Sequence, residues 1–269
     1  MVLELGDTFI HYEVRGEGIP LVLIHGMNVD YHLMYGCFEP IFQSLPQYMR
    51  VYLDIPGLGE SIPGADLHSD CDLVHILISA IHKIIGEQKY LLAGESFGGH
   101  LVRGIIEVDK NRILGVCFLC PWINDIEQSL PTRQTIMRDN KYLSTLSKED
   151  QEEFDFMGVI QTRETYERFR RDIKPYLPLA NQEFLLRLKY CLTFDLTAHY
   201  DFPTSFIEAR QDHAAGYEAA FQLVKNFPRA SYSIIDCAGH NIQLERVRIF
   251  EELVYEWLER TKEIECSKE

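Results

Sequence analysis

Apolar residues in this chain gather into short unbroken runs separated by helix-spaced patterns. That alternation is the signature of a mostly parallel sheet wrapped by helices on both faces. The run Pro20-Leu21-Val22-Leu23-Ile24 has no polar interruption, which suits a strand buried on both sides. Comparable runs predict parallel strands near 20–24, 49–54, 90–95, 113–119, 204–209 and 231–236. Leu73–Ile85 carries apolar positions at helical spacing and predicts the helix before the strand at 90–95. Leu101–Ile106 resumes as a helix beyond that strand. Thr8–Arg15 instead alternates in polarity and ends at Gly16-Glu17-Gly18, which predicts an antiparallel edge hairpin turning there.

The alternation lapses between Leu119 and Thr204. Connections in α/β units take about 2–6 residues beside a helix, so residues 122–201 read as an insertion of several helices broken at Pro131, Pro175 and Pro178. The core is then 1–121 together with 202–269. The insertion is rich in aromatics: Trp122, Phe154, Phe156, Tyr166, Phe169, Tyr176, Phe184, Tyr190 and Phe194. A substrate pocket is one reading of them, and burial of the inserted helices against each other is the commoner fate of such residues. Arg163, Arg168, Arg170 and Arg171 suggest an anion site, but pairs such as Glu164–Arg168 and Glu167–Arg171 favour a solvated helix face.

Composition narrows the functions open to this fold. The formal charge of the 269 residues is −15, so a nucleic-acid backbone would be repelled. No basic region followed by an apolar core opens the chain, and no apolar stretch approaches the ~20 residues that span a bilayer. A soluble, cytoplasmic protein is expected, with no nucleic-acid or membrane partner. Its carboxylate excess falls mostly outside the insertion, so the mouth of a pocket there is expected to be less acidic than the rest. The seven cysteines (Cys37, Cys71, Cys117, Cys120, Cys191, Cys237 and Cys266) are odd in number and unpatterned, which predicts free thiols. Cys117 and Cys120 form a C-x-x-C, but within a strand-like run, so burial is expected rather than redox chemistry. No His/Cys/Asp/Glu set has metal-ligand spacing.

The candidate chemistry lies where strands end. Gly94-Glu95-Ser96-Phe97-Gly98 follows the apolar run Tyr90-Leu91-Leu92-Ala93 and precedes a helix. A serine on so sharp a strand-to-helix turn needs small neighbours, and its hydroxyl is then exposed above the sheet. A hydroxyl needs a base to take its proton and a third group to orient that base. His240, in Ala238-Gly239-His240-Asn241, follows the strand at 231–236, and Asp212 follows the strand at 204–209. Asp125, just past Leu119, is the rival acid. The turn His25-Gly26-Met27-Asn28 would direct a backbone N–H at a developing oxyanion, with Met27 as one donor and Phe97 as the other. His25, Gly26, Glu95 and Trp122 are pocket candidates, Glu95 either lining the pocket or pairing with a buried neighbour. His100 and His213 lie near Ser96 and Asp212 in sequence, and Asp54 reads as a turn cap.

These segments resemble the α/β-hydrolase superfamily over nearly the whole chain. Besides the residues above, Asp54-Ile55-Pro56-Gly57-Leu58-Gly59-Glu60-Ser61 is similar to the family's D-x-x-G-x-G-x-S turn. The resemblance implies a helical cap at 122–201 over a Ser96–His240–Asp212 triad. It further implies hydrolysis of a small-molecule ester or acyl substrate without a cofactor. Carbon–carbon bond hydrolases of the fold usually show tryptophan after the histidine, where this chain has Asn241, and W-G-R before the acid, where it has Glu208-Ala209-Arg210. Carbon–carbon hydrolysis of ring-fission products stays open as an alternative, beside lactonase, thioesterase, perhydrolase and small-molecule sensor readings, as does a monomer or homodimer.

Overall fold

The apolar runs pair edge to edge, and their pairing decides where the strand ends converge. The computed structural model describes residues 1–195 and 197–266. Its first strands are β1 (Val2–Leu5), β2 (Thr8–Arg15), β3 (Ile19–Ile24), β4 (Tyr48–Leu53), β5 (Tyr90–Glu95) and β6 (Ile113–Leu119). Helices α1 (Tyr31–Phe42), α2 (Asp70–Ile85) and α3 (Phe97–Asp109) connect them. The stretch after β6 holds β7 (Met137–Arg138), α4 (Asn140–Leu143), α5 (Lys148–Met157), β8 (Ile160–Gln161), α6 (Arg163–Asp172) and α7 (Gln182–Arg187). The chain then continues through β9 (Thr204–Ala209), α8 (Glu218–Leu223), β10 (Ala230–Ile235), α9 (Ile242–Glu245) and α10 (Val247–Cys266).

Eight strands form one sheet in the order β1-β2-β4-β3-β5-β6-β9-β10. From β4 onward every neighbouring pair is parallel. The edge hairpin is β1–β2, turning at Gly6 and Asp7, whereas the Gly16–Gly18 turn joins strands that do not pair. β4 lies between them, antiparallel to β2 and parallel to β3. The expectation of a hairpin at Gly16 is thereby corrected: alternation marked an outer strand but could not say which strand it would join.

Both faces of the parallel strands are apolar because both are covered. Val22, Ile24, Leu92, Val116 and Phe118 face one cluster with Leu73, Leu77 and Leu101 of α2 and α3. Leu21, Leu23, Leu91, Cys117 and Leu119 face the other with Phe38 of α1 and Val254 and Trp257 of α10. Each fully buried aliphatic or aromatic side chain contributes ~1.5–3 kcal/mol of transfer free energy. Helix α2 begins where the Ser69 hydroxyl caps Asp72 N–H and the Asp72 carboxylate returns a bond to the Ser69 amide, a reciprocal capping box.

The stretch between β6 and β9 departs from a plain helical run. Residues 120–136 hold no helix, so Pro131 breaks none, and Pro175 and Pro178 sit within the 3₁₀ turn Lys174–Leu179. β7 and β8 form a two-stranded parallel pair. Phe154, Tyr166, Phe169 and Ile173 pack with Val29 just before α1, with Leu33 of α1 and with Leu244 of α9. Phe184 of α7 joins the main core instead. Three of the four arginines of α6 are paired along or beside the helix, Arg168 with Glu164 at 2.7 Å, Arg170 with Glu167 at 3.0 Å and Arg171 with Asp172 at 2.6 Å, and Arg163 lies over the Tyr142 ring. Arg171 thus takes its own neighbour, not Glu167. Among the described residues, no helix is long and apolar enough to cross a membrane. Six cysteines are free thiols, with Cys117 and Cys120 buried; the side chain of Cys266 lies outside the described residues.

Candidate active site

The strand order reverses direction at β3, since β4 is added on one side of it and β5 on the other. Loops leaving β3 and β5 therefore diverge and open a crevice at the carboxyl ends of the strands, the usual ligand position in open α/β sheets. The β3 loop carries His25 to Asn28, and the β5 turn carries Ser96.

Ser96 adopts φ +50° and ψ −114°, a conformation that L side chains rarely take. The turn is held by tight backbone packing. A Cβ on Gly98 would lie 2.3 Å from the Ile24 carbonyl oxygen and 2.5 Å from that of His25. Neither is a mobile side-chain end, so Gly98→Ala must push α3 away from the β3 loop. It is expected to cost ~1–3 kcal/mol of stability and to weaken hydrolysis, read from the thermal midpoint and kcat/KM. Unchanged values would show that the turn tolerates the methyl group.

The structure brings Ser96, His240 and Asp212 together. Ser96 Oγ lies 2.8 Å from His240 Nε2, and His240 Nδ1 lies 2.8 Å from Asp212 Oδ2. With Nδ1–H donated to Asp212, Nε2 is left to accept the serine proton. Asp212 also accepts from the Ala214 and Ala215 amides at 2.9 and 3.0 Å. Burial opposes its charge, but His240 and those amides hold the carboxyl below its usual range. For His240, burial is the largest influence and disfavours the imidazolium; Asp212 and Glu95 outweigh it and raise the ring to about 9.

The remaining candidates take other places. Asp125 forms two bonds to Arg103 at 2.7 and 2.8 Å and accepts the Phe194 amide, away from His240. His100 is buried against Asp70 at 2.8 Å. His213 makes no such bond and packs edge-on against Phe156. Asp54 accepts from the Tyr31 and Glu60 amides and pairs with His11. His25 accepts the Ile55 amide at Nε2, and Trp122 packs on Phe97, His100 and Tyr190. Neither is among the residues lining the cavity at Ser96: His25 is fully buried, and Trp122 donates its amide to the Ser96 carbonyl at 2.9 Å. Gly26 abuts Glu95 and Ser96. Cys120 brings a thiol within 4.8 Å of Asp212 and His240 ligand atoms, but both His240 nitrogens are already engaged.

A cavity of about 500 Å³ opens on Ser96. Met27, Asn28, Val29, Leu33, Glu95, Ala214, His240 and Asn241 line its floor, and Glu153, Phe156, Met157, Phe169, Ile173 and Leu177 close it from the insertion. Glu95 and Glu153 are in the wall, and no lysine or arginine is among its described residues. Glu153 is paired with Lys174 at 2.6 Å, so Glu95 is the wall carboxylate with no lysine or arginine bonded to it among the described residues. Glu245 had no sequence signal. Its half-buried carboxylate accepts from the Val159, Ile160 and Gly239 amides at 2.6, 3.0 and 2.6 Å, tying β8 to the loop that carries His240.

Sheet order, helices on both faces and strand-end residues together define a family. The model of that family, described as the alpha/beta hydrolase fold, matches residues 19–247, and the chain belongs to it. Pimeloyl-[acyl-carrier protein] methyl ester esterase of Legionella pneumophila (strain Lens) is 23% identical over 259 residues, 93% of this chain and 99% of that one. An (E)-2-((N-methylformamido)methylene)succinate hydrolase of Acinetobacter baylyi is 35% identical over 96 residues, 35% of each chain. The crystal structure of an alpha/beta superfamily hydrolase from Oenococcus oeni PSU-1 superposes with a TM-score of 0.86 at 26% identity, covering 95% of this chain and 97% of that one. These relatives are named hydrolases and esterases, and activity of that general kind is supported.

Proposed function

We propose that the protein is a serine hydrolase that cleaves a small, uncharged carboxylic ester through an acyl-enzyme on Ser96. The observation that carries this reading is the continuous chain Ser96 Oγ–His240–Asp212, with both links at 2.8 Å, at the floor of a largely apolar cavity. In the first half-reaction the Ser96 oxygen bonds to the acyl carbon while its proton passes to His240 Nε2. The carbonyl electron pair moves onto oxygen, facing the Met27 and Phe97 amides. Collapse breaks the bond to the alcohol, which takes the proton back from His240. Water then repeats the sequence and releases the acid. Asp212 orients the ring and balances its transient charge. Residues 122–201 act as a cap that supplies the upper wall of the cavity.

An ester fits this machinery because an alkoxide leaves with no help beyond the proton on His240. The name of the Legionella relative, a methyl ester esterase, points the same way. The cavity wall adds a selection by charge. An acyl chain ending in a carboxylate would be buried beside Glu95 and Glu153 with no lysine or arginine among the described lining residues, Lys174 being already shared between Glu153 and Asp150, a costly placement. Steady-state hydrolysis of p-nitrophenyl esters from acetate to decanoate tests the reading. One preferred chain length is expected, with an ω-carboxylate acyl analogue of that length slower by at least about tenfold. No turnover across the series would overturn the ester reading and favour a sensor that binds without releasing product.

A further inference from the structure

Glu95 ends β5 one residue before Ser96, and only 2% of it is exposed. Three parts of the site meet at its carboxyl. Its Oε2 lies against Gly26 so closely that a Cβ there would stand 2.1 Å away, and the Gly26 N–H is directed at the carboxylate. Its Oε1 lies 3.4 Å from His240 Nε2, the atom that holds the serine proton during attack. Ser96 follows by one peptide bond. A buried carboxyl with no lysine or arginine beside it destabilises the fold relative to an apolar residue of like size, so its presence needs a reason in the chemistry.

We propose that Glu95 is a positioning residue for the reaction: it anchors the oxyanion loop through Gly26 and offers the His240 imidazolium a second acceptor, thereby setting the acid limit of turnover. The inference rests on Ser96 being the nucleophile. Ser96 Oγ is the nearer partner of Nε2, at 2.8 Å. Once the serine oxygen has bonded to the acyl carbon, its hold on the proton weakens, and the carboxylate is the next oxygen within reach.

The titratable groups around Glu95 come from several elements. They are His240 after β10, Asp212 after β9, Cys120 after β6 and Cys37 on α1. His25 flanks the same loop, and Glu153 of α5 stands in the cavity wall, held by Lys174 at 2.6 Å. Burial pushes both thiols well above their ordinary range and His25 below its own, so all three stay neutral near pH 7. Burial also lifts the Glu95 carboxyl to about 7, with the His240 charge opposing the rise and Asp212 adding to it. Glu95 and His240 therefore titrate as a coupled pair. An ionised Glu95 favours the imidazolium; removing that charge lets His240 lose its proton, and so act as base, at lower pH.

The pH dependence of Ser96 labelling by a fluorophosphonate, followed by intact mass, tests this without knowledge of the substrate. Glu95→Gln keeps an acceptor for Gly26 and removes the charge, while Glu95→Ala removes both. The acid limb is expected to move down by about one unit in both variants. The plateau rate should stay within about threefold of wild type in Glu95→Gln and fall at least about tenfold in Glu95→Ala. A limb at the wild-type position, or equal plateau losses in the two variants, would overturn the proposal. Glu95→Ala still reads the limb if Glu95→Gln does not fold. A wild-type protein that never labels would overturn the nucleophile assignment, and this proposal with it.

Discussion

Ser96→Ala is expected to lower kcat/KM on the preferred ester by on the order of a million-fold, while leaving the thermal midpoint nearly unchanged. The size of the loss follows from the mechanism, because without Oγ no covalent intermediate forms and water must attack unaided. The small effect on stability follows from the surroundings. Alanine at 96 inherits the strained φ of +50°, so the backbone neither gains nor loses strain, and the main loss is one bond to His240. Such a bond contributes ~1 kcal/mol net. Residual activity should be that of the oxyanion amides and the binding pocket alone. Adding His240→Ala to Ser96→Ala should therefore cost little more, since residues acting as one unit are far from additive. A Ser96→Ala protein that keeps a tenth of its activity would sink the acyl-enzyme mechanism outright.

How much of this was legible depends on how local each signal is. β3, β5 and β6 are legible because a strand buried on both faces needs an apolar run, and Leu21 to Ile24, Tyr90 to Ala93 or Val116 to Leu119 supply one without help from neighbours. Ser96 stands just past such a run, whereas Asp212 and His240 follow shorter or alternating strand patterns, Ser205-Phe206-Ile207 and Tyr232-Ser233-Ile234-Ile235. β1 and the pairing of β2 with β4 were not legible, since four residues with only Leu3 and Leu5 turned to the core give Val2–Leu5 little apolar pattern, and partner choice is made at long range. The insertion was the least legible part. Strands as short as Met137–Arg138 carry no period, and both residues are exposed.

Within the site, missed features share one property: they depend on contacts far apart in sequence. Glu245 reaches back to Val159 and Ile160, and Glu95 meets Gly26 only because β3 and β5 are adjacent. Burial of Glu95 follows from the β5 pleat, but whether a buried carboxyl faces a cavity or a cation is set by the loops above it. The two aromatic readings of the insertion likewise divide residue by residue. Phe154 and Tyr166 bury against each other, whereas Phe156 and Phe169 reach the cavity wall.

Asp212→Asn is expected to reduce kcat by about 10⁴-fold with little change in KM, and Asp125→Asn to reduce stability instead. The two aspartates are rivals by sequence, each just past a strand of the same sheet, and their partners separate them. Asp212 accepts from His240 Nδ1 at 2.8 Å and from two backbone amides. An asparagine there can turn its NH₂ toward Nδ1, which forces the ring proton to Nε2 and leaves the serine without a base. Asp125 meets Arg103, whose side chain has no exposure at all and whose Nε and Nη1 already lack hydrogen-bond partners. Removing the carboxylate that hydrogen-bonds this guanidinium should cost about 3 kcal/mol, seen as a lower thermal midpoint with kcat retained by the folded fraction. Raising pH should not rescue Asp212→Asn, because its defect is a misplaced proton and not a charged ring. The reverse pattern, a large kcat loss in Asp125→Asn with activity intact in Asp212→Asn, would move the acid to the end of β6 and require His240 to swing away from the bond it makes here.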